Sequence, residues 1–194
     1  KGGHAVDAAV CAASVLNVVE PMSTGVGGDL FALVYDSKKK NVEALNGSGK
    51  SSIKTAINNL DEIGLDCIPF DGQHSGMAVS VPGCVDAWDQ LLQKYGVFSL
   101  DTILVPAIDY SQNGFGVSEI TANNWKIHGK KLSINDVCEF LPNGRSPNYG
   151  ERVFFPDLNR TLKCISENGK SYFYDGVLAE KISEYVKKFK GWLC

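Results

Sequence analysis

The chain has 194 residues, 44% of them hydrophobic and 21% charged, and a formal net charge of −3. This is ordinary globular composition without a strong field, so neither nucleic acid nor an anionic membrane is favoured by charge. No apolar run approaches the roughly 20 residues that span a bilayer, and the length fits one domain or part of a larger one.

In chain order, residues 5–19 are rich in Ala, Val and Leu, with Asp7 the one charge. Such a segment predicts a helix buried on most sides. Glu20-Pro21 ends it, because the residue before a proline avoids the helical region. Residues 22–28 form a glycine-rich turn. Residues 29–36 (DLFALVYD) and 41–45 (NVEAL) predict two apolar strands. The short charged link between them marks a hairpin, with Lys38-Lys39-Lys40 as its solvated tip.

Residues 46–52 (NGSGKSS) are a small-residue loop, 55–65 a short amphipathic helix, and 77–81 (MAVSV) a buried strand. Pro82-Gly83 opens a helix that runs through Tyr95, since the missing proline N–H has no helical partner at that position. Gly96 caps its end. Further helices are expected over 99–112, where Leu100, Ile103, Leu104, Ala107 and Ile108 recur at helical spacing, and over 118–127. Residues 141–152 read as a loop containing proline and glycine. Helices follow from Pro156-Asp157 to Ile165 and over 176–189. One helix, a few buried strands, then many helices is an α+β or layered αββα pattern.

The six cysteines are Cys11, Cys67, Cys84, Cys138, Cys164 and Cys194. No CxxC pair occurs and none stands near a histidine at metal spacing, so no metal site is expected. Cys11 and Cys84 lie among Ala and Val as buried thiols. A disulfide framework does not suit this core, which points to a reducing compartment and so to the cytoplasm. Against that, Asn46-Gly47-Ser48 and Asn159-Arg160-Thr161 fit the glycosylation acceptor pattern.

Two glycine clusters invite a phosphate-binding reading. Thr24-Gly25-Val26-Gly27-Gly28 precedes a strand, whereas a phosphate cradle needs a helix whose N–H groups face the anion. Asn46-Gly47-Ser48-Gly49-Lys50-Ser51 lacks the four intervening residues of a phosphate loop. A substrate-facing loop at a strand end is the better functional reading, with a plain turn as the alternative. His4, His74 and His128 lie far apart in unlike contexts and read as surface or capping residues. No nucleophile elbow and no apolar carboxylate pair is present. The sequence thus carries no complete catalytic constellation.

A series of motifs adds to this. Gly2-Gly3-His4-Ala5-Val6-Asp7-Ala8-Ala9-Val10, then Asn17-Val18-Val19-Glu20-Pro21, then Ser23-Thr24-Gly25-Val26-Gly27-Gly28 resemble the gamma-glutamyltransferase family nearly in register through Phe31 and Tyr35-Asp36. Ser80-Val81-Pro82-Gly83, Leu141-Pro142-Asn143-Gly144, Pro156-Asp157-Leu158 with Thr161-Leu162, and Phe173-Tyr174-Asp175-Gly176 continue the match in the same order. The resemblance covers almost the whole chain.

It implies an N-terminal-nucleophile hydrolase fold, an αββα sandwich built from a large and a small chain after self-cleavage. The nucleophile in such enzymes is a threonine that opens the small chain, with its own α-amino group as base. Residues 1–194 are therefore expected to be a single fragment of the large chain, partial in fold, cut at both ends from a longer product, without a catalytic residue or a cofactor. Its expected partners are the small chain of the same precursor and a gamma-glutamyl or other small acyl amide.

One departure bears on the substrate. Where the family carries an arginine that grips the glutamyl α-carboxylate, Ser48 stands here, and Lys50 is the nearby positive charge. A planar guanidinium suits that two-oxygen grip; its loss removes a charge-assisted contact of about 1.5–3 kcal/mol. Gly28-Asp29 also departs from the commoner GGG-F turn. Asn46, Ser48 and Lys50 are the expected substrate-binding residues. The leading expectation is gamma-glutamyl amide cleavage. The alternatives are an amidohydrolase or acylase with another substrate, and a non-catalytic scaffold or inactive remnant.

Overall fold

The computed structural model describes residues 2–56, 58–69, 72–133 and 138–193. The first helix, α1 (Ala5–Val19), has the bounds expected of it. His4 caps its start: the Val6 N–H donates to the His4 ring, and the Asp7 carboxylate accepts the His4 N–H at 2.5 Å, a reciprocal capping box. The same carboxylate accepts the N–H groups of Val97 and Phe98 at 2.9 and 3.0 Å. Burial alone raises the pKa of Asp7, but the backbone donors of Phe98, His4 and Val97 outweigh it and hold the group below the ordinary carboxylate value.

Strands β1 (Leu30–Asp36) and β2 (Asn41–Gly47) pair antiparallel, with Leu30 opposite Gly47 and Asp36 opposite Asn41. The Asp36 carboxylate accepts the N–H groups of Lys38 and Lys39 and closes the turn. The lysine tip is exposed, as expected. One face of the hairpin, with Leu30, Ala32, Val34 and Leu45, packs on the core.

Two expectations fail in the next stretch. Instead of a helix over 55–65, only α2 (Asn58–Asp61) is helical, and residue 57 lies outside the described residues. Gly64 takes φ +70°, and the flanking Ile53 and Ile63 are exposed, so no packed face extends the turn. Instead of a strand over 77–81, Gly72–Ala78 forms a 3-10 turn, and residues 79–83 after it have no regular structure and join no sheet. Val81 donates one backbone bond, to the Lys50 carbonyl. Pro82 follows without an N–H, so the pairing cannot continue.

Helix α3 (Cys84–Tyr95) then buries Val85, Ala87, Trp88 and Leu91. Helix α4 (Leu100–Asn113) packs against α1 and against α6 (Pro156–Asn168). Between them lie a two-residue pairing of β3 (Phe115–Gly116) with β4 (Arg152–Val153), and α5 (Glu119–Ser133), longer than the 118–127 expected. Phe155 stacks obliquely against Phe115, Trp125 and Phe140. The short α7 (Ser171–Tyr174) and α8 (Val177–Lys188) complete the order.

The architecture is mixed helix and sheet, as expected. Both faces of the hairpin are apolar, which is the pattern of a strand buried on two sides. Yet Phe31, Leu33, Tyr35 and Val42 are 69%, 77%, 63% and 60% exposed on the outward face. Those four side chains are a bare sheet surface, and the candidate site lies at one end of it.

Candidate functional site

Side chains along a strand alternate, and the alternation of β2 runs on past its end. Val42, Ala44, Asn46, Ser48 and Lys50 are all exposed, while Glu43, Leu45, Gly47 and Gly49 are half-buried. Asn46, Ser48 and Lys50 therefore form the polar continuation of the bare apolar stripe. All three line a cavity of about 380 Å³, whose other walls include Pro82, Asp86, Gln90, Lys170, Tyr174 and Asp175.

The loop that carries them is held at three points. The Asn46 side-chain oxygen accepts the Ser48 N–H at 3.0 Å, the Asp29 carboxylate accepts the Gly49 N–H at 2.9 Å, and the Lys50 carbonyl accepts the Val81 N–H at 3.0 Å. Its inner side lies flush on residues 81–83. A Cβ at Gly49 would stand 1.4 Å from the Val81 carbonyl oxygen, so no side chain fits there.

Opposite this loop, Tyr174 donates to the Pro82 carbonyl at 2.7 Å and accepts the Asp86 N–H at 3.0 Å. Burial raises its phenol above the ordinary value. Lys170 donates to Asp86 at 2.6 Å and lies 3.0 Å from Asp89. These two carboxylates, Asp86 first, push the Lys170 ammonium up to about 12, while Lys170 holds Asp86 below its ordinary value. The Lys170 charge is thus already answered. Lys50, also on this cavity, has no ion-pair partner among the described residues.

The sequence reading missed Asp86, Gln90, Lys170, Tyr174 and Asp175 as cavity walls. The signal for two of them was present, since Ser80-Val81-Pro82-Gly83 and Phe173-Tyr174-Asp175-Gly176 were both singled out and meet through the Tyr174–Pro82 bond.

No serine, threonine or cysteine among the described residues is hydrogen-bonded to a histidine. His4 is a helix cap, and His128 is exposed. Burial pushes the Cys84 thiol up to about 11, so it is not a thiolate at neutral pH. Cys11, expected to be buried, is half-buried, and the side chains of Cys138 and Cys194 lie outside the described residues. The Thr24-to-Gly28 turn is tied to α1 by a hydrogen bond from the Thr24 hydroxyl to Asn17 and leads into β1, so it presents no helix N-terminus to a phosphate. No helix among the described residues is long and apolar enough to cross a membrane.

The family model for gamma-glutamyltranspeptidase matches residues 1–194. The chain belongs to the gamma-glutamyltranspeptidase family. Among its relatives, the glutathione hydrolase-like YwrD proenzyme of Bacillus subtilis is 40% identical over 191 residues, covering 96% of this chain and 35% of the relative. The cephalosporin acylase of Bacillus halodurans superposes with a TM-score of 0.89 at 33% identity, over 99% of this chain and 37% of that one. The gamma-glutamyltranspeptidase of Helicobacter pylori gives 0.88 at 30% identity, over 98% of this chain and 55% of that one. The chain spans about a third of the length of the curated relatives it matches. The fold is accordingly the partial N-terminal-nucleophile hydrolase fold of this gamma-glutamyltranspeptidase family, as the motif series implied.

Proposed function

We propose that this chain is a framework and pocket-wall portion of the large chain of a gamma-glutamyl amide hydrolase or transferase. The attacking hydroxyl, on this reading, belongs to a threonine that opens a small chain of the same precursor. The observation that carries it is the run of Asn46, Ser48 and Lys50 along one side of a cavity, at the polar end of an uncovered apolar sheet face. An apolar face of this kind favours burial against further polypeptide, and whatever covers Phe31, Leu33 and Tyr35 comes to lie next to Lys50. An ammonium without a carboxylate partner suits the α-carboxylate of a gamma-glutamyl group.

The test is release of the anilide from a gamma-glutamyl anilide by the full precursor. Turnover after self-cleavage supports this reading; a precursor that cleaves itself yet leaves the anilide intact sinks it. Lys50→Ala should then raise KM about tenfold or more, the loss of one charge-assisted contact, with kcat little changed.

A second reading keeps the fold and changes the acyl group. It is favoured by the uncharged side chain at Ser48, and the Bacillus halodurans relative is called a cephalosporin acylase. On this reading Ser48→Arg gains gamma-glutamyl activity. A fall in an existing gamma-glutamyl activity counts against it, because Ser48 would then already serve that pocket.

A further inference from the structure

Asp29 is the residue that breaks the glycine run before β1, and nothing in the proposed reaction uses it. Its carboxylate accepts the Gly49 N–H across 20 positions of sequence. The bond falls between Ser48 and Lys50, the two side chains through which the site departs from the family pattern. The neighbouring Gly28 carbonyl accepts the N–H groups of Gly83 and Cys84. Residues 28 and 29 thereby clamp both cavity loops, the one carrying Ser48 and Lys50 and the one carrying Val81 and Pro82.

We propose that Asp29 is a positioning residue for substrate binding: by holding the Gly49 amide it fixes where Ser48 and Lys50 stand in the cavity. This rests on the reading that the cavity binds the acyl group. The loop has glycine at 47 and 49, and glycine loses more conformational freedom on ordering than any other residue. The loop's inner side lies against 81–83, the Asn46 side chain holds the Ser48 N–H and Val81 holds the Lys50 carbonyl, and the Asp29 bond is the restraint on the Gly49 amide between them. Without that bond the Gly49 N–H turns to water, and the two side chains sample several positions before substrate selects one. Such a loss of preorganisation appears in binding rather than in the chemical step. Asp29 touches no reacting atom on this account. Its role needs an oxygen acceptor and not its charge.

The experiment uses the full precursor after self-cleavage. Asp29→Ala should raise KM for the amide it turns over about five- to tenfold, with kcat within about twofold, the scale of one ordinary hydrogen bond. Asp29→Asn, which keeps an acceptor oxygen, should return KM to within about twofold of the parent. Hydrogen exchange in the peptide spanning residues 46–50 should gain one fast amide in Asp29→Ala and none in Asp29→Asn. An unchanged KM in Asp29→Ala overturns the proposal, as does Asp29→Asn behaving like Asp29→Ala. If Asp29→Ala does not mature, exchange in the parent decides: a protected Gly49 amide supports the bond, and an amide exchanging at the rate of open chain removes it. Ser48→Ala and Lys50→Ala separate this from the pocket reading. If both leave KM unchanged, the pocket reading fails and takes the proposal with it; if either raises KM while Asp29→Ala does not, only the role of Asp29 falls.

Discussion

The two faces of the β1–β2 hairpin have nearly the same chemistry and opposite surroundings. Leu30, Ala32, Val34 and Leu45 face the helices and are partly buried against the core. Phe31, Leu33, Tyr35 and Val42 face outward and are mostly exposed. Residues one position apart have therefore met different fates, although both faces have the composition of a sheet interior. The inward face packs against α3 while the outward face carries the same apolar chemistry uncovered, so composition alone does not tell which face of a strand is buried. The outward stripe ends in Asn46, Ser48 and Lys50, so the uncovered apolar surface and the candidate site belong to the same face.

The largest effects should come from the helical side. Trp88 is fully buried in α3, so Trp88→Ala should lower the stability of the chain by about 3–5 kcal/mol in chemical denaturation. Adjacent substitutions on the hairpin then divide the faces directly. Val34→Asp places a carboxylate against the core and should cost about 2–3 kcal/mol or more. Leu33→Asp should change the stability of the chain by less than about 0.5 kcal/mol, yet prevent the full precursor from assembling, read as loss of self-cleavage. Equal destabilisation by the two would remove the distinction between the faces.

A smaller and pH-dependent effect is expected at Asp7. Its carboxylate accepts three backbone N–H groups, and its folded-state pKa lies below the ordinary 3.8. A depressed folded pKa stabilises fully above the unfolded value and is lost as pH falls through it toward the folded one. Asp7→Asn should therefore cost about 1–2 kcal/mol at pH 7, and the gap to the parent should narrow below about pH 4. A gap that widens in acid would contradict the sign.

Much of the fold was legible because the signals were local. The apolar run and Glu20-Pro21 bounded α1, and the two strand segments with a charged link predicted the hairpin. The stretch over 77–81 was apolar enough for a strand, but a strand is defined by its partner, and here one bond to Lys50 is followed by a proline. The candidate site was legible only along β2 and its loop. Asn46, Ser48 and Lys50 were implied by the family resemblance and by the loop's place at a strand end. Lys170 was not, because its pairing with Asp86 joins residues 84 positions apart, and no local pattern encodes such a contact. Asp29 was noted as a departure from the commoner turn, but its bond to Gly49 depends on how the turn folds against the loop.

On the proposed function, the reactive hydroxyl is not among these residues. The most direct measurement compares amide turnover by the purified 194-residue chain with turnover by the self-cleaved full precursor, at equal concentration on the same anilide. Signal is expected from the precursor and only the buffer rate from the chain alone. Sustained turnover by the isolated chain, retained after repurification, would contradict it.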